Sequence, residues 1–342
     1  MKGRYSFQIK QYTIDTPANY FLLLAVSLVF WIIGYVFSVG YPVYGNVSST
    51  PLWNMVCSLL PNKATTYLIG LLLTAVGAFL IHRANYILVI IREKTFLPFL
   101  IYILLVSSNP AFFPLKSTSA GIFCLILAMY QLFISYQDEQ STNKAFNTAL
   151  FIGAGSLFWI HILWFFPLFW IGMYNFKTLN IRTFLASLTG LSTVYWFLLL
   201  WCFLRWDFTS FTVPFSALGN MDFLQVTGIG LIDWVIIIYL AFLMLIASLY
   251  IITHEHDENI RTRQYLFFLI VFAILSFVLF FLYEQSSDKF LCIAYMPVSI
   301  LLTHFFTVKK GKKRYRGFYL SFVVYIVLSF IRLWNFLLNT VI

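Results

Sequence analysis

Two aspartates have the residue type and the setting for proton-transfer chemistry. Asp233 stands directly before Trp234 at the start of a long apolar run, where weak solvation raises the affinity of a carboxyl for a proton and suits it to act as a general base or proton carrier. The alternative is a carboxylate at a helix N-terminus, stabilised there by the helix dipole. Asp207, in the polar stretch that precedes this run, is the second catalytic candidate.

One arginine lies inside the last apolar run and is a candidate for binding an anion. The planar guanidinium of Arg332 suits a phosphate or a carboxylate, which it can hold through two parallel hydrogen bonds. The alternative is an arginine that reaches toward the lipid headgroups, because only about ten residues follow it. Arg332 belongs to a stripe of polar residues at helical spacing, which is expected to face protein or water. The stripe consists of Ser321, Tyr325, Ser329, Arg332, Asn335 and Asn339.

Four further residues are predicted to bind substrate: Arg205, Lys116, Asn335 and His161. His161 lies between two short apolar segments, and its alternative role is that of a hydrogen-bonded residue inside the bundle. No motif predicts a metal or a cofactor, because the four cysteines lack ligand spacing. The run 254–258 (HEHDE) places two histidines at i and i+2, which do not share a helix face, and is interpreted as a solvated charged turn.

The composition indicates that the helices carrying these residues lie in a lipid bilayer rather than in water. Of the 342 residues, 61% are apolar and only 10% are charged, whereas soluble domains carry about 25% charged residues. Long apolar runs follow one another from residue 20 to residue 338. We therefore predict an all-α fold, a polytopic transmembrane bundle formed by residues 1–342 as a single domain. The net charge of +10 lies mainly in short joints between apolar runs, which fixes orientation in a membrane and excludes nucleic acid as a partner.

About 20 apolar residues are needed to span a bilayer as a helix, and the sequence predicts about eleven segments. They cover residues 20–39, 66–81, 96–106, 120–136, 146–160, 163–176, 185–204, 229–252, 265–283, 290–308 and 318–338. With the N-terminus inside and the C-terminus outside, 17 Lys and Arg residues face the cytoplasm and four face outward, as the positive-inside rule requires. The cytoplasmic parts include residues 1–19 and the basic loop 309–317, while 205–231 forms a re-entrant or interfacial outer loop.

Several segments are too short to cross alone. Segment 96–106 has eleven residues and would extend about 17 Å as a helix, and 146–160 and 163–176 are also short. Such segments often line a half-depth recess, and we predict that they line one open to the outer side, capped by residues 107–110. Seven tryptophans near the outer boundary either form an aromatic vestibule or anchor the protein. They are Trp53, Trp159, Trp164, Trp201, Trp206, Trp234 and Trp334.

Several local motifs carry a family resemblance over about residues 20–200. They are 92–98 (REKTFLP), 107–110 (SSNP), 151–158 (FIGAGSLF), 167–171 (PLFWI) and 180–190 (NIRTFLASLTG). Together they resemble an uncharacterised family of polytopic inner-membrane proteins of Bacteroidetes, some members of which are labelled as carotenoid-cleaving oxygenases. That label implies four histidines around iron, whereas this chain has five scattered histidines. The alternation of long and short segments also resembles membrane glycosyltransferases that use polyprenyl-phosphate sugars. Their catalytic carboxylate in the first outer loop has no counterpart, because residues 39–65 contain no Asp or Glu.

Three functions are consistent with these features. The first is a bacterial inner-membrane protein of envelope biogenesis that handles a lipid-linked anionic substrate, glycan or phospholipid-like, in the outer recess as a transferase-like enzyme or a flippase. The alternative is a non-catalytic membrane subunit or scaffold of a larger envelope complex. A proton-coupled transporter of small solutes is third. The expected partners are membrane lipids, a polyprenyl-phosphate-linked substrate and other envelope membrane proteins.

Overall fold

The chain is almost entirely helical in the computed structural model. The structure describes residues 14, 16–39, 41, 50–60, 62–138, 140–224, 229–254, 256, 258–308 and 312–341. These residues form thirteen α-helices and no β-strand, which confirms the all-α prediction for the described part of the chain. Most of the predicted cytoplasmic segment 1–19 and residues 309–311 of the predicted basic loop 309–317 lie outside the described residues.

Each of the eleven predicted segments coincides with a helical element, and two further helices, α2 and α9, join them. The helices are α1 (Pro17–Val36), α2 (Pro51–Leu59), α3 (Lys63–Leu88), α4 (Leu97–Ser107), α5 (Ser117–Ile134), α6 (Thr142–Phe158), α7 (Phe166–Asn175), α8 (Ile181–Arg205), α9 (Thr209–Gly219), α10 (Leu231–Thr253), α11 (Ile260–Leu282), α12 (Ser287–Thr307) and α13 (Lys312–Val341). A 3₁₀-helix, Ile160–Phe165, leads into α7.

Eight of these helices are long and apolar enough to cross a membrane: α1, α3, α5, α8, α10, α11, α12 and α13. The chain is therefore a multi-pass membrane protein. Helix α4 and the element Ile160–Asn175 are apolar but shorter, as the sequence indicates. Eight rather than eleven elements meet the length criterion, so the exact number of crossings stays a prediction. The predicted loop 205–231 contains α9, which contacts α8 and the 3₁₀-helix before α7.

Helix α12 forms the centre of the bundle. Nearly all of its residues are buried, and it contacts α4, α5, α10, α11 and α13. Three of its hydroxyl groups form hydrogen bonds within the helix: Ser299 donates to the Met296 carbonyl at 2.8 Å, Thr303 to the Ser299 carbonyl at 2.7 Å and Thr307 to the Thr303 carbonyl at 2.8 Å. Such bonds to the preceding turn let polar side chains pack in an apolar interior. The outer helices α8 and α13 are buried over much less of their length and present apolar faces outward.

Close approach of α6 and α8 depends on one glycine. A Cβ atom at Gly190 would lie 2.4 Å from the backbone oxygen of Phe146, so any side chain there would push the two helices apart. Helix α8 begins with a capping box, in which the Asn180 side chain accepts from the Thr183 amide and the Thr183 hydroxyl accepts from the Asn180 amide. These two local features fix where α8 starts and how tightly it packs.

Contacts between helix ends agree with helices that alternate in direction. Lys63 at the start of α3 donates to Ser38 just after α1 at 2.6 Å, and Trp31 near the end of α1 donates to Ser107 at the end of α4 at 3.0 Å. At the other end of the bundle, Tyr319 of α13 donates to Asn19 of α1 at 2.5 Å. We call the end that holds Ser107 the site end. Which end faces the cytoplasm stays a prediction.

Candidate functional site

A cavity of about 580 Å³ opens at the site end of the bundle, and we call it the polar cavity. Its walls come from four separate parts of the chain: the turn after α4, the start of α10, the start of α12 and the end of α13. Ligand sites usually combine apolar walls with a few convergent polar groups, and this cavity has both. It is lined by Asn109, Pro110, Gly230, Leu231, Ile232, Asp233, Asp288, Arg332, Asn335 and Phe336.

An ion pair crosses this cavity. Arg332 Nε lies 2.5 Å from Asp233 Oδ1, and the two side chains are 11% and 31% exposed. The pair joins α10 to α13, which also meet where the Tyr239 hydroxyl donates to the Ser321 carbonyl at 3.0 Å. Asp233 occupies the first turn of α10, so the helix-terminus interpretation holds alongside the ion pair. The carboxylate balances the charge of Arg332, which costs much less to bury as a pair than alone.

The polar stripe of α13 faces the protein along most of its length, as predicted. Ser321, Tyr325 and Ser329 are buried, and Arg332 and Asn335 continue the stripe into the polar cavity. The side chain of Asn339 lies outside the described part. Tyr325 is the residue that connects the stripe to the rest of the site, because its hydroxyl lies 2.5 Å from the Ser108 hydroxyl.

The segment 107–110, predicted to cap a recess, borders the polar cavity. Ser108 is held from two sides: its hydroxyl donates to the Leu105 carbonyl at 2.7 Å and contacts Tyr325. Ser107 accepts from the Trp31 indole. These buried bonds fix the end of α4, so that the following residues, Asn109 and Pro110, form one wall of the cavity.

A group of basic residues lies beside Asp288, at the edge of the polar cavity. Burial lowers the pKa of Lys116, and the nearby carboxylate of Asp288 opposes that shift. Lys289 interacts electrostatically with Lys116, and its Nζ lies 5.6 Å from the ring centroid of Trp159. Two ammonium groups that repel each other in a half-buried position are favourable for an anion.

His161 lies next to this basic group and is buried. Its ring stacks on Trp159 with centroids 5.1 Å apart and meets Tyr283 edge to face at 4.9 Å. It does not line the polar cavity. These ring contacts place His161 inside the bundle, whereas the hydrogen bond of the predicted alternative role is not among them.

The remaining two predicted site residues, Arg205 and Asp207, lie elsewhere. They line a second depression of about 870 Å³ between α2, α6, α8 and the start of α9, which we call the apolar groove. The predicted site residues therefore divide into three groups. Asp233, Arg332 and Asn335 line the polar cavity, Lys116 and His161 lie around Lys289, and Arg205 and Asp207 lie in the groove.

Asp207 holds the first turn of α9. Its Oδ2 accepts from the Ser210 hydroxyl at 2.6 Å, and its Oδ1 accepts from the hydroxyl and the amide of Thr209 at 2.5 and 3.1 Å. These hydrogen bonds, that from Ser210 foremost, lower the pKa of the Asp207 carboxyl. An ionised carboxylate occupied in this way is a helix cap and a poor general base.

Replacing Asp207 with alanine is expected to loosen α9 while leaving the other helices unchanged. The depressed pKa means that the cap is intact near neutral pH and is lost as the pH falls through that pKa. Amide hydrogen exchange over Thr209–Gly219, corrected for intrinsic rates, should accelerate several-fold in the variant, because the first turn of α9 loses the carboxylate that accepts from it. Asp222→Ala, between α9 and α10, is the control. Equal exchange in both variants would contradict the capping role.

Two charged residues beside the polar cavity are not among the site residues that the sequence predicts. Asp288 and Lys289 lie in the first turn of α12. Asp288 lines the polar cavity, and Lys289 interacts electrostatically with Lys116 beside it. Their position at the start of an apolar run, the same signal that singled out Asp233, could have identified them. Asn109 was singled out only as part of a capping segment.

At the end of the bundle opposite the site end, the prediction of a solvated turn at 254–258 is wrong for Glu258. Its side chain is only 5% exposed, and its Oε2 lies 3.1 Å from Arg92 Nε. Its Oε1 lies 3.5 Å from Nε2 of the buried His304. The Glu258 side chain is covered because Arg92, which follows α3, and His304 near the end of α12 contact it, whereas His256 is exposed and residues 255 and 257 lie outside the described part of the chain. No group of three His, Cys, Asp or Glu side chains that could hold a metal ion occurs among the described residues.

Comparison of the chain with protein families, with curated proteins and with solved structures finds no match. The resemblance of residues 20–200 to a Bacteroidetes membrane family therefore stays a prediction. What the chain does must be inferred from the polar cavity and the charges around it.

Proposed function

We propose that this multi-pass membrane protein resides in a bacterial inner membrane and handles a lipid-linked anionic substrate of envelope biogenesis in the polar cavity. One observation carries the proposal: polar side chains from four separate parts of the chain converge on a single cavity at one end of a bundle that is otherwise apolar. Ionisable groups at membrane depth are costly and mark substrate sites by default.

The charges around the cavity favour an anion. Two carboxylates, Asp233 and Asp288, line it. Three cations lie in or beside it, namely Arg332, Lys116 and Lys289. One positive charge is left over, and Arg332 retains donors on its terminal nitrogens after it has paired through Nε. A phosphate or pyrophosphate headgroup would use both.

The rim of the cavity favours an amphiphile. Leu231, 86% exposed, and Phe336 belong to the wall and also to the apolar outer surface of α10 and α13. A hydrocarbon chain leaving the cavity past these residues would enter the bilayer without crossing polar surface. A small hydrophilic substrate gains nothing from such an exit.

The ion pair gives the site a way to respond to its ligand. An anionic headgroup that binds the terminal nitrogens of Arg332 weakens the attraction of the guanidinium for Asp233, and the carboxylate can then accept a proton more readily. In a transferase-like enzyme that proton comes from the attacking hydroxyl. In a flippase the headgroup likewise draws Arg332 away from Asp233 as it enters the cavity. The transferase-like enzyme and the flippase therefore share the binding step.

Binding of a short isoprenoid phosphate to the purified protein in detergent tests the proposal. Farnesyl phosphate should bind at least ten-fold more tightly than uncharged farnesol, and Lys289→Gln should reduce its affinity about ten-fold, equivalent to about 1.4 kcal/mol. Lys144→Gln is the matched control, because Lys144 pairs with Asp138 at the opposite end. Equal affinities for the two probes, or an equal loss in the two variants, would refute the assignment.

The scaffold alternative makes a different prediction for the same preparation. If neither probe binds and a membrane partner copurifies at fixed stoichiometry in mild detergent, the chain is a non-catalytic subunit of an envelope complex. A monomer that binds farnesyl phosphate excludes that role.

A further inference from the structure

The apolar groove is a second depression, and most of the side chains that line it are apolar. Its walls are the exposed side of α2, two leucines of α6, one face of α8 and the first residues of α9. Among the residues that the structure describes, none lines both the groove and the polar cavity. The lining consists of Leu52, Asn54, Met55, Ser58, Leu150, Leu157, Thr193, Val194, Phe197, Leu198, Trp201, Cys202, Arg205, Asp207 and Ser210.

The wall formed by α8 has the length of one lipid leaflet. Val194, Phe197, Leu198 and Trp201 share one face at helical spacing, and Arg205 ends it. At 1.5 Å per residue the distance from 194 to 205 is about 16 Å. The hydrocarbon core of a bilayer is about 30 Å thick, so the wall covers about half of it, with its charged end at the headgroup level.

Two opposite charges stand at that end. The guanidinium of Arg205 lies 4.2 Å from the ring centroid of Trp201, which orients it at the mouth of the groove. Within the described part of the chain, no Asp or Glu lies within ion-pair distance of it. Asp207 lines the same groove. Its carboxylate accepts hydrogen bonds from Thr209 and Ser210 at the start of α9, which hold it in place as a fixed negative charge beside the mouth of the groove.

We propose that the apolar groove binds phosphatidylethanolamine, with an acyl chain along α8, the phosphate at Arg205 and the ammonium at Asp207. The site goes beyond the proposed function and does not depend on the polar cavity. A fork of guanidinium donors matches a phosphate, and the fixed negative charge of the Asp207 carboxylate matches a primary ammonium. A lipid with net negative charge would leave Asp207 facing an anion. A choline lipid has no N–H to donate to it.

Native mass spectrometry of the purified protein, titrated with dioleoyl lipids that differ only in headgroup, tests this assignment. We expect phosphatidylethanolamine to bind about ten-fold more tightly than phosphatidylglycerol or phosphatidylcholine. Arg205→Gln should weaken all three lipids. Asp207→Asn keeps an acceptor for α9 and should reduce the preference for phosphatidylethanolamine to less than three-fold. Arg182→Gln, an exposed arginine at the other end of α8, should change neither result.

A second pair of variants tests whether the chain occupies the groove. Met55→Trp fills it, whereas Leu59→Trp places the same ring on the same helix at an exposed position outside the lining. Only Met55→Trp should lower phosphatidylethanolamine binding, by about ten-fold. Equal binding of the three lipids to the unsubstituted protein, or the same effect of both tryptophans, would overturn the proposal.

Discussion

Asp233→Asn is expected to lower the free energy of unfolding by about 2 kcal/mol, because it leaves Arg332 charged and without its partner. Removing one member of a fully buried pair costs about 3–5 kcal/mol, and the partial exposure of both side chains here reduces that figure. For a chain of this size the melting temperature should fall by roughly 3 °C. Thermal unfolding in detergent, followed by tryptophan fluorescence, measures it.

The double variant Asp233→Asn/Arg332→Gln separates the ion pair from other effects. If the two residues act as a pair, the double variant should be more stable than the sum of the two single losses predicts, with a coupling free energy of about 1–2 kcal/mol. Asp288→Asn is the control, since Asp288 also occupies a first helical turn beside the cavity and should cost less than about 0.5 kcal/mol. Additive losses would show that the pair contributes nothing.

The second large effect is expected at the opposite end of the bundle. Within the described part of the chain, Arg92→Gln leaves the buried carboxylate of Glu258 with His304 as its ionisable partner, and a poorly compensated buried charge is strongly destabilising. Because Arg92 itself is half exposed, we expect a loss of about 2 kcal/mol. The same thermal measurement in detergent detects it.

Lys144→Gln provides the comparison at that end. Lys144 pairs with Asp138 at 2.8 Å, but both side chains are substantially exposed, and exposed pairs contribute about 0–1 kcal/mol. The loss at Arg92 should therefore be at least twice that at Lys144. Similar small losses in both variants would mean that Glu258 is compensated by solvent after all.

The location of the helices could be predicted from the sequence because the signal is local. Apolar runs of the right length and the polar periodicity of α13 are properties of neighbouring residues, and the structure agrees with both. The polar residues from Ser321 to Arg332 recur at helical spacing and therefore share one face of α13, and that face is turned toward the protein rather than toward lipid. The short segments were also recognisable, although which of them crosses the membrane depends on their neighbours.

The partners of the charged residues could not be predicted in this way. Asp207 and Asp233 flank one loop in the sequence, yet they line separate depressions. The ion-pair partner of Asp233 is Arg332, which follows it by 99 positions. Glu258 seemed solvated because its neighbours in the sequence are polar. Its burial is decided by Arg92 and α12.

The sequence by itself therefore determined that this protein is a helical, multi-pass membrane bundle, and where along the chain its helices lie. Only the tertiary structure decided which charges meet and where the cavities form. The physical reason is the range of the interactions. Hydrophobic length and periodicity act between residues a few positions apart, whereas an ion pair such as Asp233–Arg332 forms only after packing around α12 has brought distant helix ends together.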